Sequence, residues 1–151
     1  MKVNKLLLVL LAVFTLSMNQ LSAHCQVPCG IYGDDVVFGE LTTDVATIEK
    51  AMKEIVRLGG EESVNYNQLV RWVTNKEAHA QNIQDVMSAY FLAQRIKLEA
   101  KDTAPEKYTQ LVELAHEITV LAMKCKQTTD LANAAKLSEA LHDFQHAYQG
   151  K

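Results

Sequence analysis

Proline and glycine are scarce in this chain, with two prolines (Pro28 and Pro105) and six glycines among 151 residues. So few breakers exclude a fold of many short strands and tight turns. Three cysteines are too few for a disulfide framework and an odd number for an exported chain. Basic residues do not outnumber acidic ones, with 15 Lys and Arg against 18 Asp and Glu, which argues against nucleic acid as a partner. The one strongly apolar run, Leu6–Leu16, is too short to span a bilayer as a mature helix. No strand-like alternation or long-period repeat is present.

That apolar run has another meaning. Lys2 and Lys5 precede it, and Ser17 to Ala23, mostly small or polar residues, follow it, the layout of a secretory signal over residues 1–23 cut after Ala23. A lipoprotein signal ending at Cys25 is disfavoured, because the residue before the cysteine is His24 and not a small one. The expected product is exported, periplasmic or secreted, with no membrane association after cleavage. It keeps 128 residues, enough for one domain with a single core. Losing Lys2 and Lys5 leaves a net charge of −5. That is an unpromising field for an anionic substrate, although a local field can oppose the field of the whole surface.

The body reads as helices. Gly33 to Glu40, with Asp34, Asp35 and Gly39, reads as an irregular connection. A first helix carries Val45, Ile48, Met52 and Ile55 and stops at Gly59-Gly60. A long second segment spans about 64–101, with Leu69, Val73, Ile83, Met87, Tyr90 and Phe91 apolar and a possible bend at Lys76–Ala80. Thr103 and Glu106 stand at capping-box spacing around Pro105 and open a third helix. Its strip is Tyr108, Leu111, Ala115, Ile118, Ala122 and Cys125. A fourth opens near Thr129-Asp130 with Ala134, Leu137, Leu141, Phe144 and Tyr148. The expected fold is all-α: an antiparallel, up-down four-helix bundle over 41–151, preceded by a metal-binding hook and connecting segment over 24–40.

The chemistry gathers at the expected new N-terminus. Cleavage after Ala23 frees the His24 amine beside its own imidazole and the thiols of Cys25 and Cys29. The amine, the Cys25 backbone nitrogen and the Cys25 sulfur can close two five-membered chelate rings, and Cys29 completes two nitrogens and two sulfurs. A square plane of that composition suits divalent nickel or copper, with the His24 imidazole available along the axis. Pro28 limits the backbone between the thiols, and Gly30 removes bulk beside the second. A structural zinc site would need a fourth side-chain ligand, and a c-type haem site would need Cys-x-x-Cys-His.

His24, Cys25, Pro28, Cys29, Gly30 and Tyr32 fill every fixed position of His-Cys-x-x-Pro-Cys-Gly-x-Tyr. The stretch thereby resembles the nickel-containing superoxide dismutases, whose mature chains begin with that motif. Ser88-Ala89-Tyr90-Phe91 also resembles that family's second-helix Tyr-Phe pair. The resemblance implies one nickel ion per subunit held by His24, Cys25 and Cys29, superoxide as substrate, a cis Val27-Pro28 bond and a homohexamer. It implies that Tyr32 stands over the open axial face and that Tyr90 supports Tyr32. Glu40 is the nearest match by spacing to a carboxylate that orients the axial imidazole, and Arg71 is the nearest arginine on the second helix to the one that some members add to this contact. Gln26 and Gly33 stand where some members carry acids.

Blander readings compete. Cys25 and Cys29 could pair as a short disulfide, Cys125 reads as a small core residue, and Tyr32 or Tyr90 could be plain packed aromatics. An exported, non-catalytic nickel- or copper-binding helical bundle is the alternative function. Glu113-x-x-His116 and Glu139-x-x-His142 have di-iron spacing, but the apolar strips beside them turn both pairs outward. His142 and His146, one turn apart, read as a solvated or subunit-contact pair.

Overall fold

The computed structural model describes residues 33–150, and every regular element among them is helical. In chain order these are α1 (Asp34–Gly59), α2 (Tyr66–Asp85), a π-helical segment (Val86–Arg95), α3 (Ala100–Thr103), α4 (Pro105–Gln127) and α5 (Leu131–Gln149). None of the described helices is long and apolar enough to cross a membrane.

The irregular connection expected over 33–40 is helical from Asp34 onward. Gly33 adopts φ of 77°, a conformation that a side chain would resist, and leads straight into α1. Asp34 and Asp35 occupy the first turn, where carboxylates favour the positive end of the helix dipole. Val37, Phe38 and Leu41 then extend the buried stripe of Val45, Ile48 and Met52 toward the N-terminus. Ile55 is only partly covered.

The irregular period around Lys76–Ala80 is not a break, for α2 runs through it without interruption. Lys76 sits on the buried face, 3% exposed. Its Nζ donates to the carbonyls of Cys125 at 2.7 Å and Lys126 at 2.6 Å, and to Glu77 at 2.9 Å. A buried cation thus serves carbonyls that the last turn of α4 leaves without helical partners. The real departure from α geometry comes later. Val86–Arg95 is π-helical, and Ile96 donates to the Phe91 carbonyl before the chain turns extended. The helix expected to reach Lys101 therefore ends at Arg95.

The capping box expected at Thr103 does not form. Ala104 is the N-cap of α4 and Pro105 its first helical residue, while the Thr103 hydroxyl donates back to the Glu99 carbonyl. Asp130 does cap α5, accepting from the Ala132 amide at 2.9 Å. The strips expected on α4 and α5 are buried at Leu111, Ala115, Ile118, Ala122, Cys125, Ala134, Leu137, Leu141 and Phe144, with Tyr108 and Tyr148 packed at their edge.

Helix α1 packs on α2 and α5, and α4 packs on α2 and α5. The pairing runs in reversed order. Asp34 meets Tyr90 and Asp44 meets His79, while Lys76 meets Cys125 and Gln84 meets Thr119. Each of these neighbours is therefore antiparallel to the next. One end of the assembly is aromatic, with Phe91 edge-on to Phe144 at 4.9 Å and tilted against Phe38 at 5.2 Å between ring centroids.

Replacing Lys76 by Met removes the donor to two helix-terminal carbonyls and is expected to cost about 2 kcal/mol in chemical denaturation. Lys53→Met, at an exposed pair with Glu49, is expected to stay within about 0.5 kcal/mol of the parent.

Candidate functional site

His24, Cys25, Pro28, Cys29, Gly30 and Tyr32 lie outside the described residues. What the structure does describe is the platform from which that segment departs. Its centre is Asp34, the first residue of α1. The Asp34 carboxylate accepts from the Tyr90 hydroxyl at 2.5 Å and the Tyr148 hydroxyl at 2.7 Å, and it pairs with the Arg95 guanidinium. The Arg95 guanidinium also lies 5.4 Å from the Tyr90 ring centroid, within cation–π range. One carboxylate thus ties the start of α1 to the π-helical segment and to the last turn of α5. Next to it, Gln149 donates to Asp35 at 2.8 Å.

The electrostatics follow from this packing. Partial burial pushes the Asp34 carboxyl upward. The hydrogen bonds from Tyr90, Tyr148 and Arg95, with the charge of Arg95, outweigh that and hold it below the ordinary value. Burial, then the Asp34 contact, pushes the Tyr90 hydroxyl up to about 12, and the same causes raise Tyr148. Both phenols therefore remain protonated donors at neutral pH. Arg95 Nε is buried and has no hydrogen-bond partner among the described residues.

Tyr90, the residue expected to support Tyr32, is 7% exposed and belongs to this cluster. Its hydroxyl proton is committed to Asp34, so only an oxygen lone pair remains for another group. Glu40 lies elsewhere on α1, exposed in a shallow depression with Val36, Gly39, Thr43, Asp44 and Asn82. Beneath it, Asp44 accepts from Asn82 at 2.7 Å and contacts His79 Nδ1 at 2.6 Å. Arg71 is exposed beside Gln68, Trp72 and Asn75, roughly 28 Å along the helical axis from Tyr90.

Asp34, Arg95 and Tyr148 were not singled out from the sequence. Tyr148 was visible only as a member of an apolar strip, and the π-helical segment shifts the register that would have pointed Arg95 inward. Among the described residues, no three His, Cys, Asp or Glu side chains converge on a metal-sized site. Glu113, His116, Glu139 and His142 are all exposed, as the strips implied. Cys125 is fully buried, and burial drives its thiol up to about 11 despite the nearby Lys76 charge, which makes it a poor thiolate donor.

The family model for nickel-containing superoxide dismutase matches residues 19–151. The chain belongs to that family. It is an oxidoreductase that acts on superoxide with a nickel cofactor. Searches against curated proteins and against solved structures returned no match. The family match embraces both the motif at residues 24–32 and the helices that carry the Asp34 cluster.

The pH response of the Asp34 cluster has a definite sign. Its folded carboxyl value is depressed, so its stabilisation is fully present above the ordinary value of 3.8 and is lost as pH falls through the lower folded value. Tyr90 is raised, so its contribution holds below pH 10 and is lost as pH rises toward about 12. Ultraviolet titration of the enzyme should show a late tyrosine ionisation. Asp34→Asn should bring it part of the way back toward 10, since burial, the larger cause, remains.

Proposed function

We propose that the nickel site of this dismutase is the segment following a signal cut after Ala23, with His24, Cys25 and Cys29 as ligands. The donor set carries this reading. A free amine, a backbone nitrogen, two thiolates and an imidazole stand within six residues, a nitrogen and sulfur set that fits divalent nickel. When bound there, nickel supplies reversible one-electron chemistry, and two superoxide ions with two protons become oxygen and hydrogen peroxide.

The remaining residues position and protect. Pro28 and Gly30 allow the chain to fold Cys29 back toward Cys25. Tyr32 controls approach of the small anion and is braced by Tyr90. Because Tyr90 already donates to Asp34, a Tyr32 hydroxyl that reaches it must be the donor. Arg95 Nε, a buried donor free of described partners, offers a docking point for a backbone carbonyl of the hook. Glu40 remains the carboxylate assigned to orient the His24 imidazole.

The helices are read as an up-down four-helix bundle, which the reversed pairing of α1, α2, α4 and α5 supports. Export follows from the signal at residues 1–23. A homohexamer, with neighbouring subunits helping to enclose each hook, is supported by exposed apolar residues at Val36, Val56, Tyr66, Val70 and Leu92. On the nickel-loaded enzyme, light scattering should report six chains, and a fully active monomer would remove the inter-subunit part of this reading.

The test of the hook is chemical. One residue added before His24 in the mature protein should abolish nickel binding and activity while far-ultraviolet circular dichroism stays unchanged, because the amine leaves chelating reach. Cys25→Ser or Cys29→Ser should lose both nickel and activity, and Cys125→Ser should keep both. Active enzyme beginning at Ala23, or carrying lipid on Cys25, would refute the assignment.

A further inference from the structure

A second group of metal-binding side chains lies outside the hook, on the groove between α4 and α5. His142 and His146 stand one turn apart on α5, so both imidazoles occupy one face. Their ring centroids are 4.2 Å apart and the ring planes differ by 36°. Both line a groove of about 770 Å³ together with Glu113 and Glu117, which are one turn apart on the facing helix α4. The sequence paired His142 with Glu139 and His116 with Glu113. The structure instead places His142 with His146 and Glu113, while His116 and Glu139 do not line the groove.

We propose that His142 and His146 form an exchangeable binding site for a divalent late-transition-metal ion, distinct from the nickel hook. Two imidazoles four residues apart on a helix form a chelating pair, the arrangement by which helical His-x-x-x-His segments take zinc. The helix fixes both ligands beforehand, so little ordering remains to be done on binding. Imidazole selects nickel, copper or zinc over magnesium or calcium. The groove's charge favours a cation, with Glu106, Glu113, Glu117 and Asp143 set against Lys107 alone. No third His, Cys, Asp or Glu side chain converges on the pair among the described residues, so the two imidazoles are the protein ligands and water completes the coordination of an ion held at so open a site. All of these residues belong to the described helices, so the site stands or falls independently of the hook.

The experiment uses tag-free, nickel-loaded enzyme titrated with Ni(II), with calorimetry and metal analysis after gel filtration. One further equivalent per chain is expected. His142→Ala and His146→Ala should each weaken it by about tenfold or more, the double variant should abolish it, and dismutase activity should remain at the parental level. Absence of a second equivalent, or its persistence unchanged in the double variant, would overturn the site. Should the double variant fail to fold, Cu(II) added to the parental holoenzyme decides the matter by NMR. Selective broadening of the His142 and His146 imidazole resonances supports the site, and unbroadened resonances refute it.

Discussion

The arrangement of this molecule hangs on one carboxylate. Asp34 opens α1 and receives hydrogen bonds from Tyr90 and Tyr148 and an ion pair from Arg95. Those partners lie 56 to 114 residues away in sequence. A partly buried acid is costly unless its oxygens are satisfied, and here the satisfaction comes from two other elements. The same contacts that keep Asp34 ionised therefore also dictate where α1, the π-helical segment and α5 meet. Beneath them, Phe38, Phe91, Phe144 and Tyr148 pack ring against ring, so the polar cluster rests on an apolar floor. The proposed nickel hook would therefore join the helices at a fixed point, Gly33.

The far end is held by a different device. Lys76 carries a charge into the interior and places it on the carbonyls at the end of α4. Buried cations are tolerated when every donor has an acceptor, and Lys76 Nζ has three. Between the two polar ends lies a core of Leu41, Ile48, Met52, Ile83, Met87, Ile118 and Leu137, all fully covered. Polar contacts fix the register of the helices, and apolar burial supplies most of the driving force.

How much of this could be read from residues alone depended on whether the signal was local. The α4 and α5 strips were legible because their period is uninterrupted, and the family was legible because its motif is dense. Lys76 broke the hydrophobic period and so suggested a bend, when it marked a buried cap whose partners lie about 50 residues on. Thr103 had the right spacing for a capping box, but Ala104 took the cap position. The π-helical segment is invisible to a search for a 3.6-residue period, and it conceals Arg95. Asp34 looked like loop chemistry beside Gly33, since nothing adjacent to it in sequence reveals the two tyrosines that claim it.

The Asp34 staple also decides where foreign sequence can be attached. Tyr148 and Gln149 bond to Asp34 and Asp35, so any segment carried past Gly150 emerges beside the start of α1. A bulky fusion there would crowd the Asp34 cluster, and in the proposed nickel site an N-terminal fusion would block the amine of His24. Both customary attachment points are thus compromised, for different reasons. The turns at 61–64 and 128–130 follow α1 and α4 at the opposite end. They are the positions at which a label or a surface tether leaves the Asp34 end of the molecule untouched.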